Sequence, residues 1–362
     1  MKTLLVTLEY LPFKGGVANY YANLAKYWPL GERIEILSNG HGELMRRSGL
    51  FPWLKAVGTI LKKQKSPGFD CLLVGQILPL GTVAYLISWL KRFDYSVVLH
   101  GMDFTLAVSS WRKRLLTSLI LGRADKIICA NSHVATLVSE LKSKFSAKIV
   151  IVNPGVEIIA PSLNLEEIAA WKKSHGIGPE DFLLLSLGRL VARKGVDAVI
   201  KALSGDLAGK KIKYFIAGTG SYEKELRSLA SVSPFQESII FLGEISNNDK
   251  WLWLNACDAL IMPAREIGSD FEGFGIVYLE ANLIGKPVIA GNSGGVKDAV
   301  KDNWSGLLVD PNDISAIRQA ILRLANDRNL GVTLGNQGRT RALEKFNWER
   351  QAGRLARAIK FD

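Results

Sequence analysis

Short apolar runs recur along the chain, and most of them end in a turn that contains glycine or polar residues. Between these runs lie longer stretches in which apolar residues recur at helical spacing. Strands that alternate with helices in this way predict parallel βαβ units and therefore an α/β fold. The predicted strands cover residues 3–8, 34–37, 71–74, 96–99, 126–130, 148–152, 182–187, 213–217, 239–243, 259–262, 288–290 and 307–309.

One apolar segment, residues 71–90, carries no charged residue and is long enough to be considered as a membrane span. This segment is interrupted by Gly75, Gln76, Pro79 and Gly81. We therefore predict a buried strand at 71–74, then a loop, and then a helix from about Leu80.

The composition describes a soluble globular protein of two domains. The chain has 362 residues, of which 48% are hydrophobic and 22% charged, so each domain can bury a core of its own. Its cysteines, Cys71, Cys129 and Cys257, are odd in number, far apart and set in or beside apolar runs. Buried reduced thiols fit this pattern better than disulfides, which predicts a reducing compartment. The apolar run at 4–8 is too short for a signal peptide, and Glu9 ends it.

Charge is distributed unevenly between the two halves. Residues 1–157 contain 20 Lys and Arg against 10 Asp and Glu, so this half holds +10 of the net charge of +12. Such asymmetry predicts an anionic partner for the first half, either a nucleic acid or a membrane surface.

Two glutamates in the second half are the first candidate ligand-binding residues. Glu272 and Glu280 have seven residues between them, and the missing side chains of Gly273 and Gly275 let the backbone approach a ligand closely. Residues 276–282 fit a short helix, whose free N–H groups can bind an anion. Carboxylates also accept hydrogen bonds from vicinal hydroxyls. The glutamate spacing by itself equally fits a surface loop before an ordinary amphipathic helix.

A glycine turn after the predicted strand at 182–187 presents cations at the strand's carboxyl end. The run is Gly188-Arg189-Leu-Val-Ala-Arg-Lys194-Gly195. A guanidinium and an ammonium at this place can neutralise a diphosphate, although a solvated basic loop fits the same residues.

Two features of the first half lie where α/β proteins bind ligands. Gly15 and Gly16 join the first strand to a helix that starts near Val17. They suit either a tight turn or backbone donors for a diphosphate or sugar. His100 follows a strand at its carboxyl end, and a lone histidine there can equally be structural.

The string EGFGIVYLEA, which starts at Glu272, is followed by GKPVIA, a glycine-rich turn and GLLVD. It resembles the E-x7-E signature of the retaining glycosyltransferases of family 4, which have the GT-B fold. The resemblance implies two Rossmann-like domains with parallel sheets facing a central cleft. Residues 1–160 would form the acceptor domain and 161–344 the nucleotide-sugar domain, with a C-terminal helix at 345–362 crossing back to the first.

The resemblance also implies roles for individual residues. Arg189 and Lys194, in the pattern G-R-x4-K-G, would stabilise the departing diphosphate. Glu280 would hold the ribose and Glu272 the donor sugar, which His100 would reach from the first domain. Anomeric configuration would be retained because the leaving phosphate takes the acceptor proton on the same face, without a metal ion or other cofactor. The remaining residues expected to contact the nucleotide-sugar are Gly15, Gly16, Gly188, Gly218, Leu242, Gly273, Phe274, Gly275 and Ile276.

The form D-x-E-G-F-G-I-V-Y-L-E-A, preceded by Arg265, is similar to lipid-directed mannosyltransferases. It predicts transfer of a hexose from GDP-mannose to a lipid or lipid-linked saccharide in cell-envelope glycan synthesis. A UDP-sugar donor with a soluble acceptor is the alternative. A non-catalytic nucleic-acid-binding protein is a weaker one, because zinc-finger spacing, RNP-type aromatic motifs and heptads are absent from the sequence.

The sequence excludes two other enzyme classes. Ser293 lies in a G-x-S-x-G string, but all four histidines precede it, whereas an α/β-hydrolase needs its histidine downstream. The phosphate-binding string G-x-x-x-x-G-K-[ST] of P-loop NTPases is absent.

Residues 44–65 form a basic amphipathic stretch. Its apolar stripe and flanking cations suit a helix that lies in a membrane interface, although most such stripes pack on a core. We therefore predict a peripheral enzyme on the cytoplasmic face of an anionic membrane. The stripe consists of Leu50, Trp53, Leu54, Val57, Ile60 and Leu61, with Arg46, Arg47, Lys55, Lys62, Lys63 and Lys65 beside it or off it.

Overall fold

A computed structural model describes residues 1–13, 15–40, 42–45, 51–65, 68–91, 93–157, 164–207 and 209–360. The chain divides into two compact units. The first contains Met1–Gly155 and the residues from Trp348 onward, and the second contains Val156–Asn347.

Each unit is built on one six-stranded sheet whose strands all pair in parallel. The strands are β1 Lys2–Thr7, β2 Arg33–Ser38, β3 Cys71–Val74, β4 Tyr95–Leu99, β5 Ile127–Cys129, β6 Ile149–Ile151, β7 Phe182–Leu187, β8 Ile212–Ala217, β9 Ile239–Gly243, β10 Ala259–Met262, β11 Val288–Gly291 and β12 Leu307–Val309. The strand orders are β2-β1-β3-β4-β5-β6 and β12-β11-β10-β7-β8-β9. The α/β fold with parallel sheets is therefore confirmed.

Helices connect successive strands, as the parallel pairing requires, and three further helices follow the last strand. They are α1 Gly16–Lys26, α2 Leu54–Lys65, α3 Thr82–Lys91, α4 Met102–Ala107, α5 Trp111–Arg123, α6 Ser132–Leu141, α7 Leu165–Ser174, α8 Val196–Ala202, α9 Glu223–Ser231, α10 Asn247–Ala256, α11 Ile276–Leu283, α12 Val296–Ala299, α13 Ile314–Asn326, α14 Arg328–Lys345 and α15 Trp348–Ala358.

The final helix, α15, completes the core of the first unit. Trp348 is 2% exposed, and Leu355 and Ile359 are fully buried in the same apolar cluster as strand residues of the first sheet. The ring of Tyr20 on α1 meets Trp348 edge to face at 5.7 Å. The first unit is thus assembled from two distant parts of the chain.

In the second unit the apolar runs become strands because both faces of the sheet are covered. Along β7, Leu183 and Leu185 belong to one apolar cluster, while Phe182 and Leu184 belong to another. Successive side chains of a strand point to opposite faces. A parallel strand that is buried on both faces therefore reads as a continuous apolar run rather than an alternation.

The uncharged segment at 71–90 folds as predicted, with one difference. Cys71–Val74 is the buried strand β3, but part of the expected loop forms a turn at Ile77–Gly81, in which Leu78 has extended backbone angles, and α3 begins directly after it at Thr82. Among the described residues, no helix combines the length and the apolar character that crossing a membrane requires.

The three cysteines are free and buried, as the sequence predicted. Burial raises the pKa of each thiol, at Cys71, Cys129 and Cys257, to about 12. They therefore behave as small apolar side chains of the core.

The fold buries one part of the apolar stripe at 44–65 and leaves another part exposed. Ile60 on α2 is 1% exposed and belongs to the core, whereas Leu54 is 47% exposed. Lys63 forms an ion pair with Glu35 of β2. The predicted members Arg46, Arg47 and Leu50 lie outside the described residues.

Candidate active site

Glycine turns meet at the carboxyl edge of the second sheet. Gly188 follows β7 with φ +147°, and Gly218 follows the neighbouring β8 with φ +130°. A Cβ added to Gly218 would lie 1.9 Å from the carbonyl oxygen of Gly188, so the two turns are in direct backbone contact. Beside them is a very small cavity, of about 10 Å³, whose lining includes Arg189 and Lys194.

Glu272 is the centre of a buried ionic cluster in the second unit. Its Oε2 accepts hydrogen bonds from Nη1 of Arg193 at 2.7 Å and from Nζ of Lys194 at 2.5 Å. Nε of Arg193 also lies 3.1 Å from Oδ1 of Asp270. The side chains of Glu272, Arg193 and Lys194 are only 10%, 12% and 13% exposed. The loop after β10 is therefore joined to the loop after β7 by charge.

The two cations determine the protonation state of Glu272. Burial by itself raises the pKa of the carboxyl, but Lys194 and Arg193 outweigh burial and hold the pKa below its ordinary value. Glu272 is consequently an anion at neutral pH. Because both cations contact the same oxygen, Oε1 can accept a hydrogen bond from a ligand hydroxyl.

The sequence analysis missed Arg193, whereas Arg189 lies in the turn after β7, as the sequence indicated. Arg189 is exposed at the end of β7, whereas Arg193 contacts Glu272. The basic Arg-Lys pair just before Gly195 was the available signal. Both cations contact the buried carboxylate of Glu272 and compensate its charge.

The second glutamate lies on the helix that follows. Gly275 precedes α11 with φ +77°, and an added Cβ would lie 2.2 Å from the ring of Tyr278, so only glycine fits. Glu280 is in the second turn of α11 and accepts a hydrogen bond from Lys250 of α10 at 2.7 Å. The sequence analysis had not assigned Lys250 a role.

The other predicted contact residues of the second unit occupy its carboxyl edge or the start of α11. Leu242 is half-buried in β9. Gly273 and Phe274 lie in the loop before α11, where Phe274 is buried and Ile276, the first helical residue, is exposed. Ser293 donates to the carbonyl of Ala264 at 2.6 Å, which gives this serine a structural partner.

One further ion pair and two backbone hydrogen bonds fix the loop that carries Glu272. Nη2 of Arg265 contacts both carboxylate oxygens of Asp197, at 2.9 and 3.0 Å, and Asp197 is buried in α8. The backbone N–H of Gly294 donates to Glu266 at 2.9 Å, and that of Gly295 donates to the carbonyl of Glu272 at 2.9 Å. The loop that carries Glu272 is thus held on both sides.

Within the first unit, His100 lies at the carboxyl end of β4. Its Nε2 lies 2.8 Å from the hydroxyl of Tyr21, and Asp103 accepts from the backbone N–H groups of His100 and Gly101, each at 2.9 Å. Gly15 precedes α1 and Gly16 begins it, with Gly16 exposed. None of the side chains that the structure describes caps this helix start, so its backbone donors remain available for a ligand.

Burial lowers the pKa of His100 to about 4, and burial raises the pKa of Asp103 to about 6. We expect His100 to stay neutral from pH 8 down to about pH 5, because its charged form is poorly solvated. The measurement is an NMR titration of the imidazole Cε1–H resonance. The exposed His175 is an internal control, and a midpoint for His100 near the ordinary value of 6.5 would contradict this prediction.

Two units, each with a six-stranded parallel sheet, define an α/β protein of the GT-B type, and solved structures match it over nearly the whole chain. HepE of Anabaena, solved in complex with UDP, aligns over 99% of both chains with a TM-score of 0.81 and 18% identity. WaaG, a glycosyltransferase involved in lipopolysaccharide biosynthesis, aligns over 99% of this chain and 100% of its own with a TM-score of 0.69 and 16% identity. At these identities the likeness shows the fold.

Residues 167–341 match the family model of the glycosyl transferases group 1. A relative from Corynebacterium glutamicum, the GDP-mannose-dependent monoacylated alpha-(1-6)-phosphatidylinositol monomannoside mannosyltransferase, is 35% identical over 198 residues, 54% of this chain and 51% of its own. The GDP-mannose-dependent alpha-(1-6)-phosphatidylinositol monomannoside mannosyltransferase of Mycolicibacterium smegmatis is 34% identical over 59% of this chain and 56% of its own. The chain therefore spans about half the length of the curated relatives that it matches.

Proposed function

We propose that this protein is a hexosyltransferase that moves mannose from GDP-mannose to a lipid or lipid-linked saccharide of the phosphatidylinositol type. The observation that supports this function best is the buried Glu272 cluster in a segment that matches the glycosyl transferases group 1. The relatives at 34–35% identity use GDP-mannose and act on a phosphatidylinositol monomannoside. Such a reaction belongs to cell-envelope glycan synthesis.

In the proposed reaction, cations of the second unit bind the diphosphate and stabilise the charge that develops as it leaves. Lys194, Arg193 and the exposed Arg189 supply this charge, and the start of α11 adds backbone dipoles. Oε1 of Glu272 accepts a hydrogen bond from a hydroxyl of the sugar. Glu280, held by Lys250, accepts hydrogen bonds from the ribose hydroxyls.

The bond from the anomeric carbon to the leaving phosphate oxygen breaks, and the acceptor hydroxyl oxygen bonds to the same face of that carbon. The acceptor proton passes to the leaving diphosphate, so configuration is retained and no protein nucleophile or metal ion is required. We also propose that neutral His100 and the backbone around Gly15 and Gly16, all in the first unit, contact the donor sugar. Among the described residues, no group of three or more His, Cys, Asp or Glu side chains is placed to hold a metal ion.

The donor is tested by a screen of GDP-, UDP- and ADP-sugars, with phosphatidylinositol lipids and soluble mannosides as acceptors. We expect turnover of GDP-mannose with the lipid acceptor and stabilisation of the protein by GDP in a thermal-shift assay, with none by oligonucleotides. Inert GDP-mannose beside an active UDP-sugar would replace the proposed donor. Transfer to soluble sugars alone would remove the lipid acceptor.

We further propose that the enzyme works as a peripheral protein at the cytoplasmic face of an anionic membrane, where a lipid acceptor resides. The net charge of +10 in residues 1–157 supports this location, because clustered cations are attracted to an anionic leaflet.

A further inference from the structure

Exposed apolar side chains are concentrated on three helices of the first unit. Among the described residues, thirteen of the seventeen large hydrophobic side chains that are exposed belong to the first unit, and eight of these thirteen lie on α3, α4 and α5. These eight are Leu86, Trp89, Leu90, Met102, Leu106, Trp111, Leu115 and Leu119. Such a concentration marks an interaction surface rather than the scattered apolar residues of an ordinary surface.

The geometry of α5 separates a core face from an outer face. Trp111, Leu115 and Leu119 follow one another at steps of four residues, which places them in one row along the helix. They are 71%, 55% and 47% exposed, whereas Ile120 and Leu121 are fully buried. The outer row is therefore an additional apolar face that the core does not use.

Helix α4 extends this surface. Met102 and Leu106, again four residues apart, are 55% and 56% exposed. The buried hydroxyl of Thr117 on α5 donates to the carbonyl of Ala107 at the end of α4, at 2.8 Å, and so fixes the two helices together. We name Met102, Leu106, Trp111, Leu115 and Leu119 the α4–α5 apolar face.

Three consecutive cationic residues lie on α5 next to Trp111 of this face. Arg112, Lys113 and Arg114 are all exposed, and within the part of the chain that the structure describes none of them forms an ion pair. The guanidinium of Arg112 lies 5.2 Å from the ring centre of Trp111. By contrast, α2 has its Ile60 in the core and its Lys63 paired with Glu35. Three exposed large apolar side chains therefore accompany the cations of α5, whereas α2 exposes one, Leu54.

We propose that the α4–α5 apolar face and Arg112–Arg114 form the surface by which this protein docks on an anionic lipid bilayer. A tryptophan beside cations suits the boundary between acyl chains and head groups, and the cations complement anionic lipids. A second copy of the chain is a poorer occupant, because a two-fold contact sets a patch against itself and would bring like charges together. The inference rests on the proposed lipid acceptor: α4 begins two residues after His100, so docking here brings lipid head groups near that histidine.

The test is flotation of the whole protein with vesicles of phosphatidylcholine alone or mixed with phosphatidylglycerol. Two charge-matched variants are compared: Arg112→Glu/Lys113→Glu/Arg114→Glu on α5, and Lys62→Glu/Lys63→Glu/Lys65→Glu on α2. We expect the α5 variant to lose at least about tenfold in affinity for the anionic vesicles, and the α2 variant to lose much less. Trp111→Ser/Leu115→Ser should weaken binding even at high salt, because the apolar contribution is not screened.

Thermal unfolding and GDP-mannose hydrolysis without lipid show that each variant is folded and keeps its donor site. Equal vesicle binding by the α5 variant and the wild type, or a larger loss in the α2 variant, would overturn the docking surface while leaving the proposed reaction intact. A change from dimer to monomer in the α5 variant, without loss of vesicle binding, would assign the face to a second copy instead. Absence of GDP-mannose turnover in a wild-type protein that still floats with anionic vesicles would count against the proposed function alone.

Discussion

Replacement of Lys194 by alanine is expected to lower kcat/KM by about 10²–10³-fold, because it removes one preorganised charge from the site of the departing diphosphate. The fold should survive, since Glu272 keeps its contact with Arg193 at 2.7 Å and is not left uncompensated. The measurement is steady-state turnover of GDP-mannose with the lipid acceptor, together with thermal unfolding of the variant.

Lys201→Ala is the matched control for this substitution. Lys201 lies on α8, the helix that follows the basic loop, and its side chain is 53% exposed in a pair with Asp197. Asp197 keeps its closer partner Arg265 at 2.9 Å when Lys201 is removed, and the Lys201 ammonium lies 3.9 Å away and is largely in water, so turnover should stay near that of the wild type. Near-normal turnover in folded Lys194→Ala protein would refute the role given to Lys194.

Replacement of Glu272 by alanine is expected to affect stability as well as turnover. The substitution leaves Arg193 and Lys194 buried side by side, with Asp270 as the remaining partner of Arg193. Breaking a buried pair by removing one partner costs about 3–5 kcal/mol, and we expect the lower end because the cluster is 10–13% exposed. Denaturant unfolding measures this loss, and turnover should fall by about 10²-fold or more.

Acid titration separates the ionic contribution of Glu272 from general damage. The two cations lower the folded-state pKa of Glu272, so its stabilisation is fully present above the ordinary value of 4.5 and is lost as the pH falls through the lower folded pKa. The stability difference between wild type and Glu272→Ala should therefore shrink below about pH 4.5. Glu223→Ala, which removes a surface pair with Arg227, should cost about 0.5 kcal/mol or less. A difference that is the same at every pH would contradict the ionic explanation.

The strands were predictable from the sequence because each is a buried apolar run with turn residues beside it. Residues 71–74, 182–187, 239–243, 259–262 and 307–309 begin and end as the pattern indicated. The turns after β7 and β8 could also be predicted from their glycines. Only glycine tolerates the close approach of the Gly188 carbonyl to Gly218. Local rules of this kind need no knowledge of the rest of the fold.

The ionic partners of the two glutamates could not be predicted in the same way. Arg193 and Glu272 are 79 positions apart in sequence and meet because β10 pairs directly with β7. That strand order is a property of the whole sheet, which a linear pattern of apolar runs does not specify. The pair between Lys250 and Glu280 depends in the same way on how α10 lies beside α11.

The sequence also could not show which of the apolar side chains on its helices are exposed to solvent. The stripe on α2 and the row on α5 are both apolar repeats beside cations, and the sequence favoured α2 for a membrane contact. The structure buries Ile60 of α2 but leaves Trp111 of α5 71% exposed. A periodic pattern shows that a helix has an apolar side, whereas only packing shows whether that side already has a partner.

The position of α15 has a consequence for the order in which the protein is made. The ribosome releases residues 1–155 long before Trp348, Leu355 and Ile359, which fill the core of the first unit. The second unit, Val156–Asn347, is contiguous and is the first to have its whole sequence available. We therefore expect nascent first-unit chains to keep an uncovered apolar surface beside Tyr20 until α15 has been made, a departure from the usual N-terminal-first order of folding during translation.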